Sequence, residues 1–223
     1  MKTFLSVLMI VVLALALLSP VYPFVLYVVG PRFSFALVFS IVFALIALEK
    51  VYAMFVRMRQ KDLVKVERDW TSAAVGISYT LVMYLALVEF YWVVQAEVSW
   101  SLTIVGAVLY LGAVALRYWA FRHLGRQWVV HLDRNDADER VLIQDGPYGC
   151  IRHPLYAGAC LEALAVPLIF NGVGAAVLAC LTFIPLEVKR AMFEEKFLRQ
   201  TFGAAYDDYA ARVGGFFPRS RCD

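Results

Sequence analysis

The sequence predicts an all-α, polytopic membrane protein of about six spans: four helices, then a C-terminal helical hairpin, with a cytoplasmic loop and short-helix cap at its base. Three observations predict this. The chain of 223 residues is 62% hydrophobic and only 17% charged, whereas soluble domains carry about a quarter charged residues. Several apolar runs approach the ~20 residues that cross a ~30 Å hydrocarbon core. The basic residues also collect in alternate loops, as the positive-inside rule requires of a multi-pass protein. A net charge of +3 gives no ground for a nucleic-acid partner.

The first apolar run covers residues 4 to about 28, behind Lys2. It begins like a secretory signal peptide, but no small-x-small site closes it, and Pro20 and Pro23 lead into more apolar sequence. A retained, kinked first helix is expected. Residues 33–56 form the second run, with Glu49 and Lys50 near its end, expected to snorkel or pair. The loop after it carries Arg57, Arg59, Lys61, Lys65 and Arg68. Residues 71–94 and 101–121 are the third and fourth runs. Glu89 is expected to reach an interface and Arg117 to anchor one. Trp70, Trp92, Trp100, Trp119 and Trp128 fall mostly at run ends, like an aromatic belt.

The stretch from Arg122 to His153 is too charged for the bilayer and reads as an extramembrane loop, with one short strand at Val141–Ile143. A division follows: 1–121 as an N-terminal membrane region, 122–223 as the region carrying chemistry. His123 and His131 are read as ordinary loop residues. Two further apolar runs, Leu155–Phe170 and Gly172–Val188, flank Asn171-Gly172, a strong turn signal. Each is about 25 Å long as a helix, and Pro167 and Pro185 should kink them. In the tail, Phe193, Phe197 and Leu198 recur at helical spacing, and Arg190 and Glu194 share a face. Gly203 should stop that helix. Tyr206 and Tyr209 suit an interfacial belt, and Gly214-Gly215 should break the last turn. Counting crossings places the three basic loops, the two termini and the site on the cytoplasmic side. The four cysteines form no Cys-x-x-Cys or Cys/His pattern, so reduced thiols and no metal are expected.

The densest polar chemistry lies in GPYGCIRHPLYAG, residues 146–158. Pro154 suits a helix N1 position, and it pushes His153 out of the α region, so a loop-to-helix boundary falls there. Tyr148, Arg152 and His153 should sit before the helix and Tyr156 one turn inside it. A helix start favours an anionic ligand group; its bland alternative is a cap that anchors a membrane helix. A hairpin brings this stretch back to Arg190, Glu194 and Glu195. A carboxylate, a guanidinium and aromatic rings together suit a zwitterionic ligand with a cationic centre. Glu162, two turns inside the apolar run, is a functional candidate because intramembrane charges are costly. The lone Gly-x-Gly, Gly172–Gly174, follows no strand and is discounted as a nucleotide motif.

RHPLYAG after GPY, followed by RAMFEEKFLRQTFGAAYDDYAARV, resembles the isoprenylcysteine carboxyl methyltransferase family over roughly residues 122–218; phospholipid N-methyltransferases are more distantly similar. The resemblance implies S-adenosylmethionine as methyl donor, with S-adenosylhomocysteine as product. It implies cofactor contacts at Arg140, Val141, Leu142, Ile143, Tyr148, His153, Pro154, Leu155, Tyr156 and the Glu194/Glu195 pair, with Asp133 a weaker match. Arg190 corresponds to the substrate-side arginine, and Arg152 and Glu162 join it as catalytic candidates. The implied acceptor is lipophilic, enters sideways from the bilayer lipids, and carries a carboxylate that needs no general base. A phenolic lipid or aminolipid acceptor, or a sterol-reductase-like enzyme using NADPH, are the alternatives.

Overall fold

The computed structural model describes residues 70–92, 98–124 and 141–219, all within one compact unit, Val64–Asp223. The first two apolar runs, the basic loop at 57–68, Asp133, His131 and Arg140 lie outside the described residues. Those residues are helical, with no named strand among them: α1 Trp70–Trp92, α2 Trp100–Leu124, α3 Pro147–Cys150, α4 Pro154–Ile169, α5 Val173–Leu178, α6 Ile184–Phe202 and α7 Ala204–Arg212. The position 121/122, where the sequence suggests a division, falls inside α2.

Helix α2 alone among the described helices is long and apolar enough to cross a membrane. Ile104, Val108 and Leu111 point outward, as suits lipid. Its opposite face is a seam of small residues at seven-residue spacing, Gly106, Ala113 and Ala120, all buried. This seam packs along α4. A Cβ on Gly106 would lie 2.5 Å from the Ile169 nitrogen and 2.8 Å from the Ala165 oxygen, so only glycine permits this approach. Small residues at such an interface let two backbones touch where lipid offers no hydrophobic drive.

The turn between the hairpin arms forms where Asn-Gly predicts it. Asn171 has φ 61°, a left-handed conformation that asparagine tolerates. Its amide is used twice: Oδ1 accepts from the Ser99 N–H at 2.7 Å, and Nδ2 donates to the Thr103 hydroxyl at 3.0 Å. Beyond the turn, α5 has no side-chain cap of its own. Glu89 of α1 supplies one, accepting from the N–H groups of Gly174 (2.9 Å) and Ala175 (2.8 Å). A Cβ on Gly172 or Gly174 would run into that carboxylate. Gly-x-Gly therefore has a structural reason, and Glu89 caps a helix rather than ending as a free interface group.

The second arm is one continuous helical path from Val173 to Phe202, about 45 Å, not a run that stops at Val188. The break expected at Pro185 takes the form of a π-helical turn, Ala179–Phe183, just before it. Pro185 lacks the N–H that would bond four residues back, and one wide turn re-phases the helix. Thr182 is held there by Leu178 O and by the Ser78 hydroxyl, both at 2.8 Å.

Gly203, φ 55°, ends α6 as expected, and α7 folds back on it. Tyr206 and Tyr209 are 0% and 3% exposed and pack with Leu198 and Val213. This overturns the interfacial reading: the periodicity that suited a membrane surface serves a small core within the protein instead. No strand forms at Val141–Ile143, because no partner strand runs beside it among the described residues. Leu142 packs on the tyrosine cluster and Ile143 on Ala120, Leu124 and Tyr148. His123 is helical, its Nδ1 facing Trp119 O at 3.0 Å, with its ring against Gly146. Cys160 and Cys180 are free thiols, but Cys150 is disulfide-bonded; proximity in the fold, not spacing in the chain, decides that pairing.

Candidate active site at the base of the hairpin

The base of the hairpin is built from α3, the start of α4 and the middle of α6. Pro147 begins α3 and Pro154 begins α4, each at a position where a missing N–H costs nothing. Between them Ile151 is extended. It lies beside the C-terminal segment, through a parallel bridge of Ile151 with Gly214. The Arg152 N–H donates to Gly214 O at 2.8 Å and the His153 N–H to Gly215 O at 3.1 Å.

Arg152 ties this junction together. Its Nε and Nη2 donate to Glu195 Oε1 at 3.0 and 2.7 Å, and Nη1 donates to Ala210 O at 3.1 Å and to Val213 O. His153 Nε2 meets the same Glu195 oxygen at 3.0 Å, while Arg199 Nη2 faces the other at 3.5 Å. His153 donating to it, with Arg152 beside it, outweighs partial burial and holds the Glu195 carboxyl down at about 2. The two ends of the hairpin therefore meet, and Glu195 is enclosed by cations of the fold itself.

Its neighbour Glu194 is placed differently. The Tyr156 hydroxyl reaches the Glu194 carboxylate, and the Tyr148 phenol is pushed up out of its usual range by burial and by the nearby Glu194 charge. One phenol thus bonds this carboxylate and a second feels its charge. The Arg190 guanidinium lies over the Tyr156 ring, 5.9 Å from its centre. Among the described residues Arg117 pairs with Glu162, and Arg152 and Arg199 with Glu195; Arg190 pairs with no carboxylate there. Tyr148 is fixed from behind, its carbonyl accepting from the Tyr209 hydroxyl at 2.7 Å.

Pro154 and Leu155 sit at the mouth of α4, Leu155 against Tyr148. Val141 is exposed, while Leu142 and Ile143 are partly covered by the two clusters named above. Glu162 lies deeper, 1% exposed, accepting from the Tyr79 hydroxyl at 2.6 Å and paired with Arg117. Arg117 is thus not an interface anchor. A Cβ on Gly158 would meet its stem at 2.5 Å, so Arg117 crosses α4 at that glycine. Sequence reasoning missed Arg117, Tyr79, Tyr209 and Phe216. Two opposite charges inside apolar runs were the signal for the first; nothing local marks the others.

Similarity to known proteins matches this layout. The family model described as phospholipid methyltransferase matches residues 101–205, from the start of α2 to the start of α7. The probable protein-S-isoprenylcysteine O-methyltransferase of Oryza sativa is 28% identical over 152 residues, 66% of this chain and 80% of that one. Protein-S-isoprenylcysteine O-methyltransferase A of Arabidopsis thaliana is 25% identical over 144 residues, 63% of this chain and 73% of that one. The solved structure of the eukaryotic intramembrane Ras methyltransferase ICMT, at 20% identity, shares the fold with a TM-score of 0.61 over 93% of this chain and 74% of that one. In sequence and in fold this chain is thus similar to the isoprenylcysteine carboxyl methyltransferases.

Proposed function

We propose that the protein transfers a methyl group from S-adenosylmethionine to the carboxylate of a lipophilic acceptor of the prenylated-cysteine type. One observation carries the reading: Arg190, without a carboxylate partner among the described residues, lies over the ring of Tyr156, whose hydroxyl reaches the Glu194 carboxylate. That donor set fits the cofactor's chemistry. Glu194 suits an ammonium, the Tyr148 and Tyr156 faces suit a sulfonium or a purine, and His153, Pro154 and Leu155 complete the wall. Bound adenosylmethionine supplies a methyl group already activated by its sulfonium. The chain's own part is alignment and electrostatics.

Arg190 would hold the acceptor carboxylate in its two-pronged grip. A carboxylate is ionised at neutral pH, so no general base is required, and the fold accords with this. Glu195 is enclosed by Arg152, His153 and Arg199, and Glu162 by Arg117 and Tyr79. We assign Arg152 and Glu162 positioning roles, the first at the junction of α4, α6 and the C-terminal segment, the second between α1, α2 and α4. The 122–223 region then carries the chemistry, with about six spans overall and a cap of short helices over the cofactor. The distribution of basic residues puts that cap and both termini in the cytoplasm. The acceptor's tail would enter from the bilayer.

The relatives' names favour this acceptor over a phenolic lipid, an aminolipid or an NADPH-dependent reduction. Incubating the purified protein with methyl-labelled adenosylmethionine and, separately, S-farnesylcysteine, a phenolic lipid and phosphatidylethanolamine tests it. Label released by mild alkali, as from a methyl ester, is expected with the first acceptor. Alkali-stable label on either of the others, or none on any, would overturn the reading.

A further inference from the structure

The adjacent glutamates do different work, and hydrogen-bond bookkeeping says how. An ionised carboxylate has no proton to give, so at the 3.0 Å contact between Glu195 Oε1 and His153 Nε2 the imidazole is the donor. Neutral imidazole has one N–H; with it on Nε2, Nδ1 keeps its lone pair. The ring is not free to reverse this. It is 4% exposed and lies 5.7 Å from both the Tyr156 and Phe216 rings. Its backbone N–H is tied to Gly215 O. Glu195 is itself immobilised by Arg152 and Arg199.

We propose that Glu195 is a positioning residue: by holding the Nε2–H tautomer of His153, it presents Nδ1 as a fixed hydrogen-bond acceptor to the methyl donor, while Glu194 takes the donor's cationic group. The inference rests on the proposed function in one respect, that the site receives a sulfonium nucleoside. The complementary chemistry on that ligand is an N–H or O–H group, such as an amine or a ribose hydroxyl. Phe216 and the C-terminal segment are then part of the same device, since they fix the ring that Glu195 orients.

The test uses the full chain in lipid nanodiscs with ¹⁵N-labelled histidine. There are three histidines, and His153→Gln identifies the signal. His153 is expected to show a protonated Nε2 and an unprotonated Nδ1. S-adenosylhomocysteine is expected to shift Nδ1. Glu195→Ala is expected to give mixed tautomers and to raise KM for adenosylmethionine about tenfold, the scale of one hydrogen bond, with kcat changed much less. Glu195→Gln keeps an acceptor oxygen and is expected to restore the single tautomer and most of the KM.

An Nδ1–H tautomer or an imidazolium in the wild type would overturn the positioning role, as would a single Nε2–H tautomer persisting in Glu195→Ala. Should Glu195→Ala not fold, the wild-type tautomer and the Gln variant still decide. The expected tautomer with no response to either nucleoside would overturn the service to a methyl donor. That outcome is the failure of the proposed function, and it is distinct from a wrong tautomer accompanied by normal nucleoside binding.

Discussion

The two ends of the hairpin are instructive side by side, because each sets a carboxylate against the same pair of helical arms. At the turn, Glu89 accepts from the N–H groups of Gly174 and Ala175, and Asn171 uses both ends of its amide. Every polar group named there is satisfied by the fold. At the base, Glu195 is equally enclosed, but Glu194 and Arg190, on the same helix, are turned toward the tyrosines instead of toward each other's counter-charge. Burial of polar groups is costly unless they are paired. The base leaves a guanidinium without a carboxylate partner among the described residues, over the ring of a tyrosine that bonds Glu194, as the proposed ligand site requires; the turn pairs each polar group named there within the fold.

The largest expected effect on ligand binding separates Glu194 from Arg190 at the base. Glu194→Gln should weaken adenosylmethionine binding by about 30-fold or more, on the scale of a charge-assisted contact. Arg190→Ala should raise KM for the acceptor by a similar factor with cofactor affinity nearly unchanged. Calorimetric titration beside steady-state kinetics reads both. Equal loss of both ligands in each variant would erase the distinction.

Arg152→Ala should cost stability first. It leaves Glu195 with reduced compensation and frees the Ala210 and Val213 carbonyls, and breaking a largely buried pair typically costs about 3–5 kcal/mol. A thermal unfolding curve checks it. Gly174→Ala tests the other end, since its methyl would strike the Glu89 carboxylate. About 1–3 kcal/mol of destabilisation is expected, with KM for both ligands unchanged. A kinetic effect from that distance would break the contrast between a closed end and a receptive one.

The smallest effect is a pH response. Glu195 is held at about 2 in the fold against an ordinary 4.5. The unfolded chain therefore takes up a proton first, so this contribution is fully present above about pH 4.5 and is lost as pH falls toward 2. Glu195→Gln should flatten that part of the acid-stability profile. A profile unchanged by the substitution would show that Glu195 is not the group responsible.

What was legible beforehand was local backbone chemistry. Pro154 starting α4, Asn171-Gly172 turning, Gly203 stopping α6 and the convergence of His153 with the Glu194/Glu195 pair follow from residues a few positions apart or from the geometry of a hairpin. What was not legible depends on neighbours far away in the chain. Glu89 becomes a cap only because α5 begins beside it. Arg117 stops being an anchor because Glu162, itself held by Tyr79, pairs with its charge inside the bundle. Tyr206 and Tyr209 share one helical face, and nothing in that face says whether lipid or Leu198 and Val213 will cover it. The distinction between Glu194 and Glu195 was equally invisible, since adjacent positions on a helix point about 100° apart and only the partners decide which is enclosed.

The wide turn at Ala179–Phe183 acts as a phase setter for everything after it. Removing one residue there would restore ordinary winding and leave Arg190 and Glu194 on their present face, whereas removing one after it, before Arg190, would swing the downstream cylinder by about 100° and carry both away from Tyr156. A length change of one below the wide turn should therefore part Arg190 from the Tyr156 ring, while the same change made within it should leave that contact in place.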